Sequence, residues 1–147
     1  MKLKELDILD AGILKDDPVR PHISKAERLS DGRQVFVLEN DGRIVAVICV
    51  AYTNAIPKDE FELSAYNAFD GTCAIFYTVW SYEKGAGREI IQRVSDHLMK
   101  RGWIKRFVTL SPLTEIAEKF HLRNGAELIY RGETCQNFEY FMEAENV

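Results

Sequence analysis

Residues 74–102 constrain this chain more than any other stretch. Positions 74–80 (AIFYTVW) are apolar, β-branched and aromatic, which predicts a strand buried on both faces. Beyond Arg88, the apolar residues Ile90, Ile91, Val94 and Leu98 fall on one stripe of a helix that runs to Gly102. Arg88, Gln92, Arg93, Asp96 and Lys100 occupy the rest of its surface. The join between strand and helix carries Gly85 and Gly87. A strand, a glycine turn and a helix N-terminus together make an anion site. The first helical N–H groups have no intrahelical partner, and the helix dipole adds partial positive charge. Lys84 and Arg88 flank the turn and add full charges. The plainer reading is a tight strand-to-helix turn with no ligand.

Charge distribution supports the anion reading. The whole chain carries −4, which excludes a general nucleic-acid binder. Residues 1–70 hold 9 Lys/Arg against 13 Asp/Glu, whereas residues 84–106 hold 7 against 2. The basic surplus therefore surrounds the glycine turn. A solvated helix face accounts for the basic residues distant from it.

The remaining elements follow in order. Leu3, Leu6, Leu9 and Ile13 predict a short amphipathic helix over 3–15, ended by Pro18 and Pro21. His22 is expected at the surface, and 24–29 as a helical turn. Residues 33–39 and 44–53 read as strands joined at Asp41-Gly42, a tight hairpin signal. Residues 54–72 read as a long polar loop, and such loops are often functional. A strand is expected over 106–111, then a helix capped by Ser111 and Pro112 and stopped at Gly125. Leu113, Ile116, Ala117 and Phe120 form its apolar face. Strand, helix and strand imply a right-handed crossover to a parallel neighbour. Residues 127–131 and 137–142 would close the sheet as a hairpin around Gly132, leaving 143–147 as a tail.

The fold class is α/β, a mixed sheet flanked by helices. At 147 residues the chain is one domain, 1–147, able to bury about two-thirds of its unfolded surface. Cys49, Cys73 and Cys135 have no paired spacing and read as buried thiols in a reducing compartment. No secretory signal or membrane-length apolar run is present, so a cytoplasmic protein is expected. No second His or Cys stands at ligand spacing to His97 or His121, so no metal is expected.

Two segments resemble the GNAT family of N-acetyltransferases. In that family a Val ends a strand, often with a Pro two residues on. Arg or Gln, two residues, Gly, one residue and Gly or Ala then follow. Here Val79 takes the first place, Lys84 the Arg/Gln place and Gly87 the inner Gly, with Gly85 beside the basic residue. Ser81 stands where Pro is common and Glu89 where Gly or Ala is expected. Downstream, Ala117, Phe120, His121 and Gly125 are similar to the family's Ala-x-x-Leu-Tyr-x-x-x-Gly-Phe segment. His121 replaces the Tyr, Ala126 the Phe, and Thr114 stands where Asn is common. The resemblance covers about residues 33–142.

The resemblance implies acetyl-CoA as co-substrate and acetyl transfer to an amine of a small molecule or protein. It implies a pyrophosphate site at Lys84, Gly85, Ala86, Gly87, Arg88 and Glu89, and pantetheine along Tyr77 and Val79. The loop over 54–72 would border the acceptor, with Asp59, Glu60 and Glu62 as candidates to attract an amine or take its proton. In chemical terms the acyl oxygen needs a donor such as the N–H near Val79. The departing thiolate needs an acid, for which His121 is the candidate. A buried core histidine is the competing reading of His121. Alternation along the strand would place Tyr77 and Trp80 on opposite faces. No nucleic acid or membrane partner is expected, and a homodimer is left open. The rival reading is a non-catalytic GNAT-fold module, which Glu89 and the missing Tyr would favour.

Overall fold

A computed structural model describes residues 1–141. Its centre is one mixed sheet. β1 (Lys2–Glu5), β2 (Arg33–Asn40), β3 (Arg43–Thr53) and β4 (Cys73–Ser81) form an antiparallel meander. β5 (Arg106–Thr109) lies parallel to β4, and β8 (Cys135–Tyr140) lies antiparallel to β5. The short β6 (Ser111–Pro112) and the edge strand β7 (Glu127–Arg131) both pair with β8. The β2–β3 hairpin turns at Asp41 (φ 52°) and Gly42 (φ 78°), the two left-handed residues that a tight hairpin requires.

Alternate residues of β3 enter two apolar clusters. Ala46, Ile48, Val50 and Tyr52 join α3 (Ala86–Met99) on one side. Val47, Cys49 and Ala51 join the N-terminal segment on the other. α3 docks through the expected stripe, with Ile90, Val94 and Leu98 fully buried. Each such side chain contributes about 1.5–3 kcal/mol of transfer free energy.

Several expectations are corrected. Residues 3–15 are not one amphipathic helix. Lys2–Glu5 pairs with β2, and a 3-10 helix follows over Ile8–Asp16, capped by the Asp7 side chain. Leu9 is consequently exposed, and Leu14 and Leu6 are the anchors. The expected helical turn after Ser24 is α1 (Lys25–Arg28). Residues 54–72 contain a helix, α2 (Glu60–Ala65), whose N-cap Asp59 accepts from Glu62 N–H. α4 (Glu115–Arg123) starts three residues later than expected, capped by Thr114, because Ser111 and Pro112 are drawn into pairing with β8. Of its expected apolar face, Leu113 and Ile116 are exposed. The last strand is Cys135–Tyr140 rather than 137–142; Met142 and the expected tail lie outside the described residues.

Tyr77 and Trp80 pack in the same cluster, not on opposite faces. The cause is a β-bulge. Val50 pairs with Phe76 and Cys49 with Thr78, leaving Tyr77 as the extra residue. A bulge resets the two-residue alternation, so Val79 turns to the α3 side and Trp80 away from it.

Candidate active site

The bulge coincides with a split in the sheet. β4 and β5 pair only as far as Phe76 and Thr109, with Leu110 N–H to the Phe76 carbonyl as the last rung. Beyond that point the strands part, and the end of β4 has no parallel neighbour. The gap is a cleft of about 540 Å³. One wall is Phe76 to Ser81, and the other is Leu110, Ser111 and Pro112. Ala117, Phe120 and His121 of α4 cover it, while Pro18, Val19 and Arg20 close the far side.

At the α3 end of the cleft stands the glycine turn. Gly85 takes the left-handed conformation (φ 84°) and caps α3 without a side-chain bond. Ala86 N–H is spent on the Glu83 carbonyl. Among the described residues, the Gly87 and Arg88 N–H groups have no acceptor, so they remain as anion donors. Gly87 also permits close packing. A Cβ there would lie 3.2 Å from Phe120 Cζ. Lys84 is exposed beside the turn. Arg88 points into a separate hollow with Gln92 and Ser95. The Glu89 carboxylate is held 2.6 Å from Arg93, one turn further along the helix.

His121 is buried. Its ring stacks on Phe138 at 5.3 Å and meets Phe120 edge-on at 5.1 Å. Nδ1 lies 2.7 Å from the Tyr140 hydroxyl, and Nε2 makes no hydrogen bond among the described residues. Burial pushes the imidazole down to about 4 from an ordinary 6.5. His121 is therefore neutral at neutral pH. Burial raises the Tyr140 phenol, which stays protonated. The dyad fixes which nitrogen of His121 is free to act.

The shifted His121 also carries a stability consequence. Between pH 6.5 and 4 the unfolded chain binds a proton that the folded chain refuses. Stability is therefore intact above about pH 6.5 and falls as pH drops toward 4. Urea unfolding at pH 7 and 4.5 should show about 2–3 kcal/mol of loss that His121→Gln lacks. Parallel pH dependence of the two proteins would contradict this assignment.

The far side of the cleft is built from residues distant in sequence, of which Arg20 is buried, Glu60 half-buried and His22 exposed. Arg20 donates from Nη1 to the Tyr77 carbonyl at the bulge, and its Nε lies 3.3 Å from Glu60 Oε2. Glu60 also meets His22 Nε2 at 2.6 Å. Glu62 is turned away from the cleft, accepting from Lys58 N–H. Thus Tyr77, Val79, Gly87 and His121 share the cleft, and Glu60 reaches it through Arg20. Arg20, Thr78 and Tyr140 were not singled out from sequence. The polar run around Pro18 carries no periodicity to mark Arg20, and Tyr140 reads simply as a strand aromatic.

Among the described residues, no helix is long and apolar enough to cross a membrane, and no His, Cys, Asp and Glu cluster could hold a metal. No protein-family profile and no curated protein matches the sequence. Solved structures do. GphF, a GNAT-like decarboxylase in complex with isobutyryl-CoA, matches with TM-score 0.73 and 15% identity, over 95% of this chain and 98% of that one. The PaiA N-acetyltransferase from Thermoplasma acidophilum, in complex with coenzyme A, matches at 0.67 and 12%, over 94% and 96%. Malonyl-CoA decarboxylase from Cupriavidus metallidurans matches at 0.57 and 20%, over 82% of this chain but 33% of that one. This chain thus spans about a third of that enzyme. The split sheet, the bulge at its mouth and these superpositions agree: the chain has the GNAT fold.

Proposed function

We propose that the protein is an acyl-CoA-dependent N-acyltransferase, with acetyl-CoA as donor and an amine as acceptor. The observation that carries this reading is the cleft between β4 and the β5–β6 segment. It has free helical N–H groups at one end, and a neutral histidine, its Nδ1 held by a tyrosine hydroxyl, above its middle. The residues present fit CoA. Gly87 and Arg88 N–H, with Lys84, would hold the pyrophosphate, and the unpaired edge of β4 near Val79 would pair with pantetheine. Acetyl-CoA supplies the activated acyl carbon.

His121 has the geometry of a proton shuttle. In the tautomer that donates Nδ1–H to Tyr140, Nε2 carries the lone pair of a ring that lines the cleft. The acceptor nitrogen bonds to the acyl carbon, and the carbon–sulfur bond breaks. His121 takes the proton that the nitrogen loses and returns it to the sulfur. No charge accumulates on the histidine before the reaction, which its apolar surroundings favour. Glu60, on the acceptor side, attracts the ammonium form of the acceptor.

A second reading is favoured by Arg20, a buried guanidinium at the acyl end of the cleft. Such a group could seat the carboxylate of a carboxyacyl-CoA for decarboxylation, the reaction named for two of the matched structures. One assay separates the two. Thiol release from acetyl-CoA that depends on an added amine supports acyl transfer. Carbon dioxide release from malonyl-CoA without thiol release supports decarboxylation. Neither activity in a protein that binds CoA would leave the non-catalytic module.

A further inference from the structure

A second pocket, of about 280 Å³, lies on the acceptor side, lined in part by His22, Glu27, Arg33, Glu60 and Ser64. Its inner wall is Arg33, which is 6% exposed. The Arg33 guanidinium lies 5.1 Å from the Tyr77 ring centroid, and Nη2 reaches Ser64 Oγ at 3.5 Å. Nη1 is buried with no hydrogen-bond partner, and the Tyr77 hydroxyl is likewise unpartnered. A buried cationic donor without an acceptor is costly, so the pocket presents an unmet demand for an anion. Its rim has the opposite character. Glu60 and Glu27 stand there, and Glu60 bridges to Arg20, which lines the cleft. Tyr77 lines the cleft and Arg33 lines the pocket, so these two packed side chains stand between the cavities.

We infer that this pocket is the acceptor subsite, and that it takes a small amine bearing a carboxylate, an amino-acid-like zwitterion. The inference rests on the acyltransfer reading. The carboxylate accepts from the Arg33 guanidinium at the inner wall, where a charge-assisted bond gains most from burial. The ammonium faces Glu60 and Glu27, and Glu60 is the residue that contacts Arg20 of the cleft. Neither half suffices alone. An anion without an amine meets two carboxylates at the rim, and an amine without a carboxylate leaves Arg33 unpaired.

The test uses matched pairs, each amino acid against its decarboxylated amine, titrated by calorimetry into the full chain saturated with CoA. The expected result is at least about tenfold tighter binding of the carboxylate-bearing member, with the preference lost in Arg33→Met. CoA affinity serves as the folding control for that variant. The comparison within each pair needs no variant, so a poorly folded Arg33→Met leaves the test intact. Equal affinities within the pairs, or no binding of any carboxylate-bearing amine by CoA-saturated protein, would overturn the inference. Turnover separates the two readings. Amine turnover without carboxylate preference removes the subsite and keeps acyl transfer. Carboxylate-dependent binding without turnover does the reverse.

Discussion

Replacing Arg28 by Met should destabilise the protein by about 3–5 kcal/mol, read by urea unfolding at pH 7. Arg28 is fully buried, and its partner Asp17 is 3% exposed. Nη1 lies 2.7 Å from Asp17 Oδ2, Nη2 donates to the Arg20 carbonyl at 2.6 Å, and Nε donates to the Ile23 carbonyl at 3.1 Å. Methionine fills similar volume but leaves the Asp17 charge without its cation and strands Asp17 Oδ2 and the Ile23 carbonyl, while Asp17 Oδ1 keeps the Val19 and Arg20 N–H groups and the Arg20 carbonyl keeps Ile23 N–H. The same contacts hold the segment of Pro18, Val19 and Arg20 that closes the cleft. The double variant Asp17→Asn, Arg28→Met should lose at least about 1 kcal/mol less than the sum of the single losses, because the two side chains share one interaction. A loss under about 1 kcal/mol in Arg28→Met would mean that the pair contributes little.

The largest catalytic effect is expected at His121. His121→Ala should lower kcat for acetyl transfer by about 100-fold or more, within the range for a positioned proton-transfer group. The dissociation constant for acetyl-CoA should stay within about threefold, because no pyrophosphate donor is touched. Tyr140→Phe should cost less, about tenfold, and should alter the pH profile, because it frees the His121 tautomer without removing the ring. A core-packing role predicts otherwise. It would lower thermal stability in His121→Ala while leaving kcat per folded molecule within about threefold of wild type.

Much of the architecture was legible in the sequence. Glycines flanked by an apolar strand and a striped helix gave β4, the turn and α3. Asp41-Gly42 gave the first hairpin, and the paired motifs gave the GNAT resemblance. What escaped has physical causes. Leu3, Leu6 and Leu9 fit a helical period, but tertiary pairing with β2 outweighed that local pattern. Asp59 and Glu62 form a helix-start signal, but at six residues α2 is too short to show an apolar period. The bulge at Tyr77 depends on the register with β3, which no local window contains, and it inverts the faces of everything after it. In the site, the motif residues were findable because spacing marks them. Arg20, Arg33 and Tyr140 act through contacts at least 19 positions away, and nothing near them in sequence announces those partners.

The central claim is that CoA binds at the turn between β4 and α3. Calorimetric titration of acetyl-CoA into wild type and Gly87→Glu tests it most directly. A Cβ at position 87 already meets Phe120 at 3.2 Å, and the added carboxylate would stand among the free N–H groups. Wild type should bind with a dissociation constant on the order of micromolar. A Gly87→Glu protein that remains folded should bind at least about 100-fold more weakly. No binding by well-folded wild type, or equal binding by both proteins, would contradict it.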